Sequence, residues 1–258
     1  MAIAIHYLGC NFQAGTVYEA AQEILANVDQ PFRYVVTPNA LDLVRLHAQP
    51  SVTGPIYKKA WRVYLDSHVV ARLARWSEGY RIPVITGAEL TSVLLTKAML
   101  MRLRICIVGG SLEARNTLIR AYPGLDVVVY APPRGFGGSV HDLNRFAQLV
   151  VGAKAHLVFL AIGNPQQAIF AEFIAAHPEA KGVGLCVGAA IDFLTGDQRR
   201  APDWMQGAGL EWLYRLLTQP RRLWRRYLVE APRIFPIAYR YWKTNRINPW
   251  VSNGYIKR

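Results

Sequence analysis

The sequence lacks the short motifs of the commonest metal and nucleotide sites. Neither His-Glu-x-x-His nor paired Cys-x-x-Cys occurs among the 258 residues, and there is no P-loop lysine motif. Asp-x-Asp, the acidic pair with which many sugar-nucleotide enzymes hold a divalent metal, is also absent. These absences argue against zinc-protease and P-loop chemistry. They favour a mechanism without metal or cofactor, in which protein cations stabilise a departing anion.

Cysteine is scarce, and no apolar run is long enough to cross a bilayer. The three cysteines, Cys10, Cys106 and Cys186, are odd in number and widely spaced, so the sequence predicts neither a disulfide framework nor a zinc site. No stretch of about 18 apolar residues occurs, and no basic region followed by an apolar stretch opens the chain. We therefore expect a reducing compartment and only peripheral contact with any membrane.

Acidic residues are few, and the basic excess is concentrated in one segment. The chain carries 30 Lys and Arg against 17 Asp and Glu, a net charge of +13. Residues 199–258 hold 13 of those basic residues but only 3 of the acidic ones, so ten of the thirteen net charges lie there. Five of the seven Trp lie there too. Such a segment favours contact with an anion, whether nucleic acid, a phospholipid headgroup or a diphosphate substrate.

Seven short apolar runs recur along the chain, each followed by small or polar residues. They are Phe32–Val36, Trp61–Leu65, Ile82–Ile85, Leu103–Val108, Asp126–Tyr130, His156–Ile162 and Val183–Val187. Runs this short and rich in Val and Ile predict strands buried on both faces. Helical spacing between them is clearest in Tyr18–Val28, Asp142–Val151 and Gln167–Ala176. This alternation predicts an α/β fold with a mostly parallel sheet in residues 1–198 and a basic helical appendage in residues 199–258.

The appendage has the pattern of a basic amphipathic helix between Pro220 and Pro232. The predicted apolar face consists of Leu223, Trp224, Tyr227 and Leu228. Beside it run two arginine columns at i,i+4 spacing, Arg221 with Arg225 and Arg222 with Arg226. This combination is typical of an element that lies on a membrane surface.

Candidate ligand-binding residues follow from the predicted sheet, because ligands bind beyond the carboxyl ends of parallel strands. The residues that follow the predicted strands at those ends are Thr37, Asn39, Asp66, Gly87, Gly109, Gly163 and Asp192. Asp66 at such an end could accept the proton of an attacking hydroxyl. An aspartate there is equally typical of a helix N-cap, and position alone favours the cap.

The other candidates also have structural alternatives. Thr37 and Asn39 could hold a phosphate or a sugar, or could simply form a turn. The Gly109-Gly110 turn and the turn at Gly163 could offer backbone N–H groups to a diphosphate, although glycine turns are common without any ligand. Asp192 could hold a ribose hydroxyl or a base edge, or could cap a helix.

Taken together, these stretches resemble the WecG/TagA/CpsF glycosyltransferase family. The most specific matching segments are Asp192–Gly196, Arg200–Gln206, Gly209–Leu216 and Pro220–Leu228. Supporting matches include Thr37–Asn39, Val108–Gly110 and Gly163–Gln167. The resemblance extends roughly from Phe32 to Tyr241, which is most of the chain.

The resemblance implies an inverting, metal-independent enzyme with a Rossmann-like sheet. Members of this family transfer a sugar from UDP to an undecaprenyl-diphosphate-linked saccharide in cell-surface polysaccharide or exopolysaccharide synthesis. The implied site residues are Asp66 as the base, Thr37, Asn39 and Gln167 near the donor's diphosphate and sugar, Asp192 near the uridine, and the appendage arginines Arg215, Arg222 and Arg225, which close over the site.

The expected partners follow from the same resemblance. They are a UDP-sugar donor, a polyprenyl-diphosphate-linked sugar acceptor and the anionic cytoplasmic face of the bacterial inner membrane, contacted peripherally through the appendage. No cofactor and no nucleic acid is expected, and a homo-oligomer is left open. Ser67 stands where the family usually has Gly, and Gln166 and Ala168 replace a Lys and a Glu. These changes leave glucose, glucuronate and N-acetylmannosamine open as the donor sugar.

Two alternatives belong to other functional classes. A nucleic-acid-binding protein would use the basic appendage and fits the high pI, although the segment lacks a recognised motif and its Trp and Leu suit lipid better. A nucleotide-sugar-modifying dehydrogenase or epimerase would use the same fold, but a full Gly-x-Gly-x-x-Gly after the first strand is missing.

Overall fold

The computed structural model describes residues 4–110, 112–133, 136–196 and 200–247. The sequence-based boundary between residues 198 and 199 and the last part of the appendage, residues 248–258, lie outside these ranges.

The strands form a hairpin and one large sheet. The hairpin pairs β1 (Ala4–Tyr7) with β2 (Cys10–Gln13). The large sheet contains β3 (Arg33–Val36), β4 (Arg62–Val63), β5 (Arg104–Gly109), β6 (Asp126–Tyr130), β7 (Leu157–Ala161) and β8 (Val183–Cys186). Its order is β4-β3-β8-β7-β5-β6, and each neighbouring pair is parallel.

Helices connect the strands and cover the sheet. Those before the appendage are α1 (Val17–Leu25), α2 (Ala40–Ala48), α3 (Pro50–Lys59), α4 (His68–Glu78), α5 (Gly87–Leu100), α6 (Leu112–Ala121), α7 (Val140–Gly152), α8 (Gln166–Ala175) and α9 (Ala190–Leu194). The appendage contributes α10 (Asp203–Gly207), α11 (Glu211–Thr218), α12 (Pro220–Trp224), a π turn (Arg225–Glu230), a 3₁₀ turn (Ala231–Arg233) and α13 (Ile234–Ile247).

The predicted α/β fold with a parallel, helix-covered sheet is confirmed. Successive side chains of a strand point to opposite faces, and here both faces are buried. On β7, Val158 belongs to one core cluster whereas Leu157 and Phe159 belong to the cluster on the other side. This two-sided burial is why the strands appear in the sequence as continuous apolar runs rather than alternating ones.

Two local features differ from the predictions. One expected strand is nearly absent, and one hairpin was not predicted. Residues 82–85 form only an isolated bridge, between Leu65 and Val84, within the described chain. Pro83 explains this, because it has no N–H to donate to a ladder. The β1–β2 hairpin turns at Leu8 and Gly9, both with positive φ, and a leucine there gives no sign of such a turn in the sequence.

The appendage helix also differs from its predicted amphipathic pattern. Leu223 is buried, whereas Trp224 and Leu228 are exposed, so the four apolar residues do not share one environment. Further along, α13 packs against α2 and α4 and buries Ile234 and Ile237 in the main core. The C-terminal helix is therefore integrated with the α/β core by the same hydrophobic packing that stabilises the sheet.

The three cysteines lie inside this packing. Cys10 is on β2, Cys106 on β5 and Cys186 on β8, and all three are buried free thiols. Burial raises the pKa of Cys10 and of Cys106 to about 12, and it raises the pKa of Cys186 as well. Such thiols remain protonated and act as small apolar core residues.

Gly109 ends β5 in a conformation that requires glycine. Its φ is +110°, and an added Cβ would lie 2.6 Å from the carbonyl oxygen of Ala161 on β7.

We expect Gly109→Ala to destabilise the protein by about 3 kcal/mol or more, because backbone strain and a main-chain clash add together. Chemical denaturation would measure this. Gly152→Ala, where an added Cβ has open space, serves as the control and should change stability by less than about 1 kcal/mol. Equal effects would refute this assignment.

Candidate functional site

A cavity of about 1010 Å³ lies beyond the carboxyl ends of the central strands. Thr37 follows β3, Asp66 follows β4 and Gly163 follows β7, and all three line it. The appendage supplies the opposite wall. Its charged lining residues are Arg200, Glu211, Arg215, Arg222 and Arg226. The cavity therefore occupies the position in which parallel α/β sheets bind ligands, with a basic cover contributed by the appendage.

Asp66 lines this cavity, and the N-cap alternative is ruled out by its neighbour. Ser67 is the N-cap of α4, and its hydroxyl accepts a hydrogen bond from the N–H of Val70 at 3.3 Å. The Asp66 carboxylate instead accepts a hydrogen bond from the N–H of Gly87 at 3.1 Å. Its backbone N–H donates to the carbonyl of Pro38. Two hydrogen bonds thus fix Asp66, whose carboxylate is not the N-cap of α4 but binds the first N–H of α5.

The surroundings of Asp66 favour its neutral form. Burial is the main cause and raises the pKa of this carboxyl to about 7; the charges of Glu211 and Asp42 add to the effect. The Gly87 N–H and the charge of Arg200 act in the opposite direction. A carboxyl with a pKa near neutrality is suited to accepting and releasing a proton at neutral pH.

Three polar residues predicted to bind ligand also fix the strand ends. The Thr37 hydroxyl donates to the carbonyl of Cys186 at 3.1 Å, and the Gln167 side-chain oxygen accepts from the Gly188 N–H at 3.1 Å. Asn39 caps α2, as its oxygen accepts from two backbone N–H groups of the first turn. Asn39 therefore has a structural role as the N-cap of α2 rather than in the turn that was considered, and all three residues line the cavity.

Of the predicted glycine turns only the one at Gly163 lies at the cavity, and Asp192 lies there as well. Gly163 lines the cavity, whereas Gly109 and Gly110 are not among its lining residues. The close approach to Ala161 described above gives Gly109 a packing role instead. Asp192 lines the cavity from α9, and the N-cap of that helix is Ala189, so the cap alternative for Asp192 does not hold.

The predicted appendage arginines are separated by the structure. Arg215 lines the cavity with its guanidinium 5.2 Å from the centre of the Phe193 ring. Arg222 also lines it and donates to the side chain of Gln219. Arg225 is outside the lining, with its side chain 75% exposed and 3.8 Å from Glu230. Its neighbour Arg226 lines the cavity instead.

Several lining residues were not identified as site residues from the sequence. They are Asp42, Arg45, His68, Glu211 and Arg226. Asp42 had a detectable signal, since Asn-x-x-Asp is a capping box, and Arg45 follows it almost one turn later on α2. His68 directly follows the Asp66–Ser67 pair, and burial lowers the pKa of its imidazole. Glu211 enters only through the tertiary position of the appendage, which no local pattern reveals.

The described residues contain neither a cluster of metal ligands nor a helix that could span a bilayer. Residues 4–110, 112–133, 136–196 and 200–247 contain no group of three or more His, Cys, Asp or Glu arranged to hold a metal ion. Within the same ranges, none of the helices has the length and apolar character needed to cross a bilayer.

Comparison with known proteins gives a family match over most of the chain and a similar curated protein. The profile of the family described as "Glycosyl transferase WecG/TagA/CpsF family" matches residues 5–248. The chain is similar to the N-acetylglucosaminyldiphosphoundecaprenol N-acetyl-beta-D-mannosaminyltransferase of Bacillus spizizenii, with 34% identity over 149 residues. That alignment covers 56% of this chain and 55% of the relative, so the chain spans about half the length of this curated protein. The match favours a glycosyltransferase over the nucleic-acid-binding and sugar-modifying alternatives.

The raised pKa of Asp66 predicts a specific dependence of stability on pH. Between about pH 4 and 7 the folded state keeps a proton that the unfolded chain has released, so the free energy of unfolding should fall as pH rises. Asp66→Asn lacks this titration. Relative to that variant, the wild type should lose about 2 kcal/mol between pH 5 and pH 8. Urea denaturation at both pH values would measure it, and parallel pH profiles for the two proteins would contradict the assignment.

Proposed function

The chain belongs to the WecG/TagA/CpsF glycosyltransferase family, and from this premise we propose an inverting, metal-independent transfer of a hexose-type sugar. The donor is a UDP-sugar and the acceptor is an undecaprenyl-diphosphate-linked saccharide. The observation that carries the proposal is the position of Asp66, which lies in the same cavity as the appendage arginines. A proton acceptor opposite a group of cations is the arrangement that sugar transfer from a diphosphate requires.

Asp66 acts as the general base in this proposal. Its carboxylate takes the proton of the acceptor hydroxyl as that oxygen attacks the anomeric carbon. The bond between that carbon and the diphosphate oxygen breaks on the opposite face, and its electron pair leaves with UDP. The configuration at the anomeric carbon is therefore inverted. A pKa near 7 leaves a substantial fraction of Asp66 ionised at neutral pH.

Cationic side chains stabilise the departing UDP in place of a metal. Arg215 and Arg222 line the cavity from the appendage, and Arg200 lies in the same wall. Guanidinium groups bind phosphate oxygens through paired, charge-assisted hydrogen bonds. Thr37, Asn39, Gly163 and Gln167 hold the sugar and diphosphate from the sheet side, and Asp192 lies towards the uridine.

The substrate classes rest on chemistry and on the named relative. The relative's name specifies an N-acetylmannosaminyl group and an N-acetylglucosaminyl-diphosphoundecaprenol acceptor. We extend this to a lipid-diphosphate acceptor for the present chain, in a pathway that makes a cell-surface polysaccharide or exopolysaccharide. N-acetylmannosamine, glucose and glucuronate are the donor sugars to compare.

Turnover should depend on Asp66, whereas UDP binding should not. We expect acceptor-dependent UDP release from one of the three UDP-sugars without added metal. Asp66→Asn should lower that rate at least 100-fold, because general bases contribute 10²–10⁴-fold, while the Kd for UDP changes less than threefold. A coupled UDP assay and calorimetry would measure the two quantities. Full turnover in the variant would remove Asp66 as the base, and no UDP binding by the wild type would overturn the donor assignment.

The exposed side of the appendage supports peripheral binding to the cytoplasmic face of the inner membrane. Large apolar side chains are exposed there, namely Trp204, Leu217, Trp224, Leu228, Phe235 and Tyr239. Arg221 and Arg225 are exposed beside Trp224 and Leu228. Basic residues interleaved with exposed Trp and Leu favour an anionic bilayer surface. A lipid-linked acceptor would then reach the cavity from the side of the appendage.

Membrane binding should depend on the exposed apolar side chains of the appendage. The double substitution Trp224→Ala with Leu228→Ala should weaken binding to anionic vesicles at least tenfold, because both side chains would enter the interface. Vesicle co-sedimentation would measure this. The control is Val140→Ala with Leu149→Ala, two residues that are exposed on α7. Equal loss in both double variants would place the contact elsewhere.

A further inference from the structure

One end of the cavity contains two arginines from different parts of the chain. Arg45 lies on α2, just beyond the sheet, whereas Arg226 lies in the π turn of the appendage. Both line the cavity, and the charges of both act on the same buried carboxylate, Asp42. Nothing in the sequence brings them together, since 181 positions separate 45 from 226. Their convergence is a result of the tertiary fold.

The two guanidinium groups are held differently. Arg45 donates from one terminal nitrogen to the carbonyl of Asn164 at 3.0 Å, which fixes its direction at the rim. The Nε of Arg226 is buried and has no hydrogen-bond partner within the part of the chain that the structure describes. Burying an N–H of a charged group without a partner costs free energy. A ligand that drew this guanidinium out of its packing towards the cavity would remove that cost.

Arg226 lines the cavity whereas Arg225 does not, and both lie in the π turn of the appendage. An α-helix has 3.6 residues per turn, so positions 225 and 226 would lie on either side of the line through Arg222. In Arg225–Glu230 the turn is wider, and the N–H of Ala231 donates to the carbonyl of Arg226, five residues earlier. At about 100° per residue, Arg226 lies roughly 40° from the line through Arg222 and Arg225 roughly 60°, so Arg226 is the nearer of the two to Arg222. Single π turns of this kind are frequent at functional sites.

The ligand that fits this arrangement is a multiply charged anion. Two forked donors come from neighbouring elements, since α2 packs against the π turn, and the single carboxylate Asp42 offsets only part of their charge. Phosphate oxygens match guanidinium geometry, and a diphosphate is long enough to contact two arginines at once.

We propose that Arg226 of the appendage and Arg45 of α2 together form a diphosphate cradle that joins the appendage to the core. The inference rests on the proposed function for the identity of the ligand, which is either the UDP of the donor or the diphosphate of the lipid acceptor. In both cases Arg226 is a binding residue of the reaction, and Arg225 has no direct contact with the diphosphate.

The test compares single substitutions in the full chain, without vesicles. Calorimetry would measure the Kd for UDP and for inorganic diphosphate in the wild type, Arg226→Gln, Arg226→Lys, Arg45→Gln and Arg225→Gln. Arg221→Gln removes the same charge from an exposed position outside the cavity and is the matched control. Thermal unfolding would establish that each variant is folded.

The proposal predicts a definite order of diphosphate affinity among the variants. Arg226→Gln should weaken diphosphate binding at least tenfold and Arg45→Gln at least threefold, with Arg221→Gln within twofold of the wild type. Arg226→Lys should recover only part of the loss, since it restores the charge but not the fork. A larger loss in Arg225→Gln than in Arg226→Gln, or equal small losses in all variants, would overturn the proposal.

The same measurements separate the two sources of diphosphate and the two levels of inference. Loss of UDP affinity in Arg226→Gln assigns the cradle to the donor. Unchanged UDP affinity with a raised KM for the lipid-diphosphate acceptor assigns it to the acceptor. Arg226-dependent binding of inorganic diphosphate without any binding of UDP would keep the cradle and reject the proposed donor. No binding of any of these ligands by the wild type would reject both.

Discussion

The pairing of β3 with β8 is the interaction on which the rest of the structure depends. These strands are about 150 residues apart in the sequence, yet four consecutive residue pairs join them in parallel register. The pairing places β4 and Asp66 on one side and β7 with Gly163 on the other. The hydroxyl of Thr37 extends the junction by its bond to Cys186. Without this contact, the residues around the cavity would belong to two separate halves of the sheet.

The appendage supplies one wall of the cavity, and the edge of the sheet supplies the other. The appendage wall contributes four arginines and one glutamate to the cavity, and the sheet edge carries the carboxylates Asp42, Asp66 and Asp192. The two surfaces are therefore opposite in charge and meet across a cavity in which burial strengthens their interaction. Packing of Ile234 and Ile237 of α13 into the main core holds the appendage in place. The position of the charged wall is thus set by apolar contacts of the helix that follows it.

The sequence was sufficient for the sheet and for the position of Asp66 at its edge, because both follow from the order of short apolar runs, whereas the role of Asp66 as a base came from the family resemblance. Short Val- and Ile-rich runs identified the strands, and their order placed Asp66 at a carboxyl end. It was insufficient for Ile82–Ile85, where Pro83 limits the pairing of an otherwise suitable run. It was also insufficient to separate Arg225, which lies outside the cavity lining, from Arg226, which belongs to it, because the two are adjacent in one basic run. The role of Gly109 depends on a close contact with β7 that only the folded chain contains.

Because the three thiols are buried, their reactivity can report local opening of the protein. Cys10 belongs to the hairpin, whereas Cys106 and Cys186 lie within the large sheet. A thiol-directed alkylating reagent reaches such groups only when the surrounding packing opens and the thiolate can form. The rate at which each cysteine is labelled under native conditions therefore reports the opening of a different part of the molecule. The chain carries three such reporters without any substitution having been introduced.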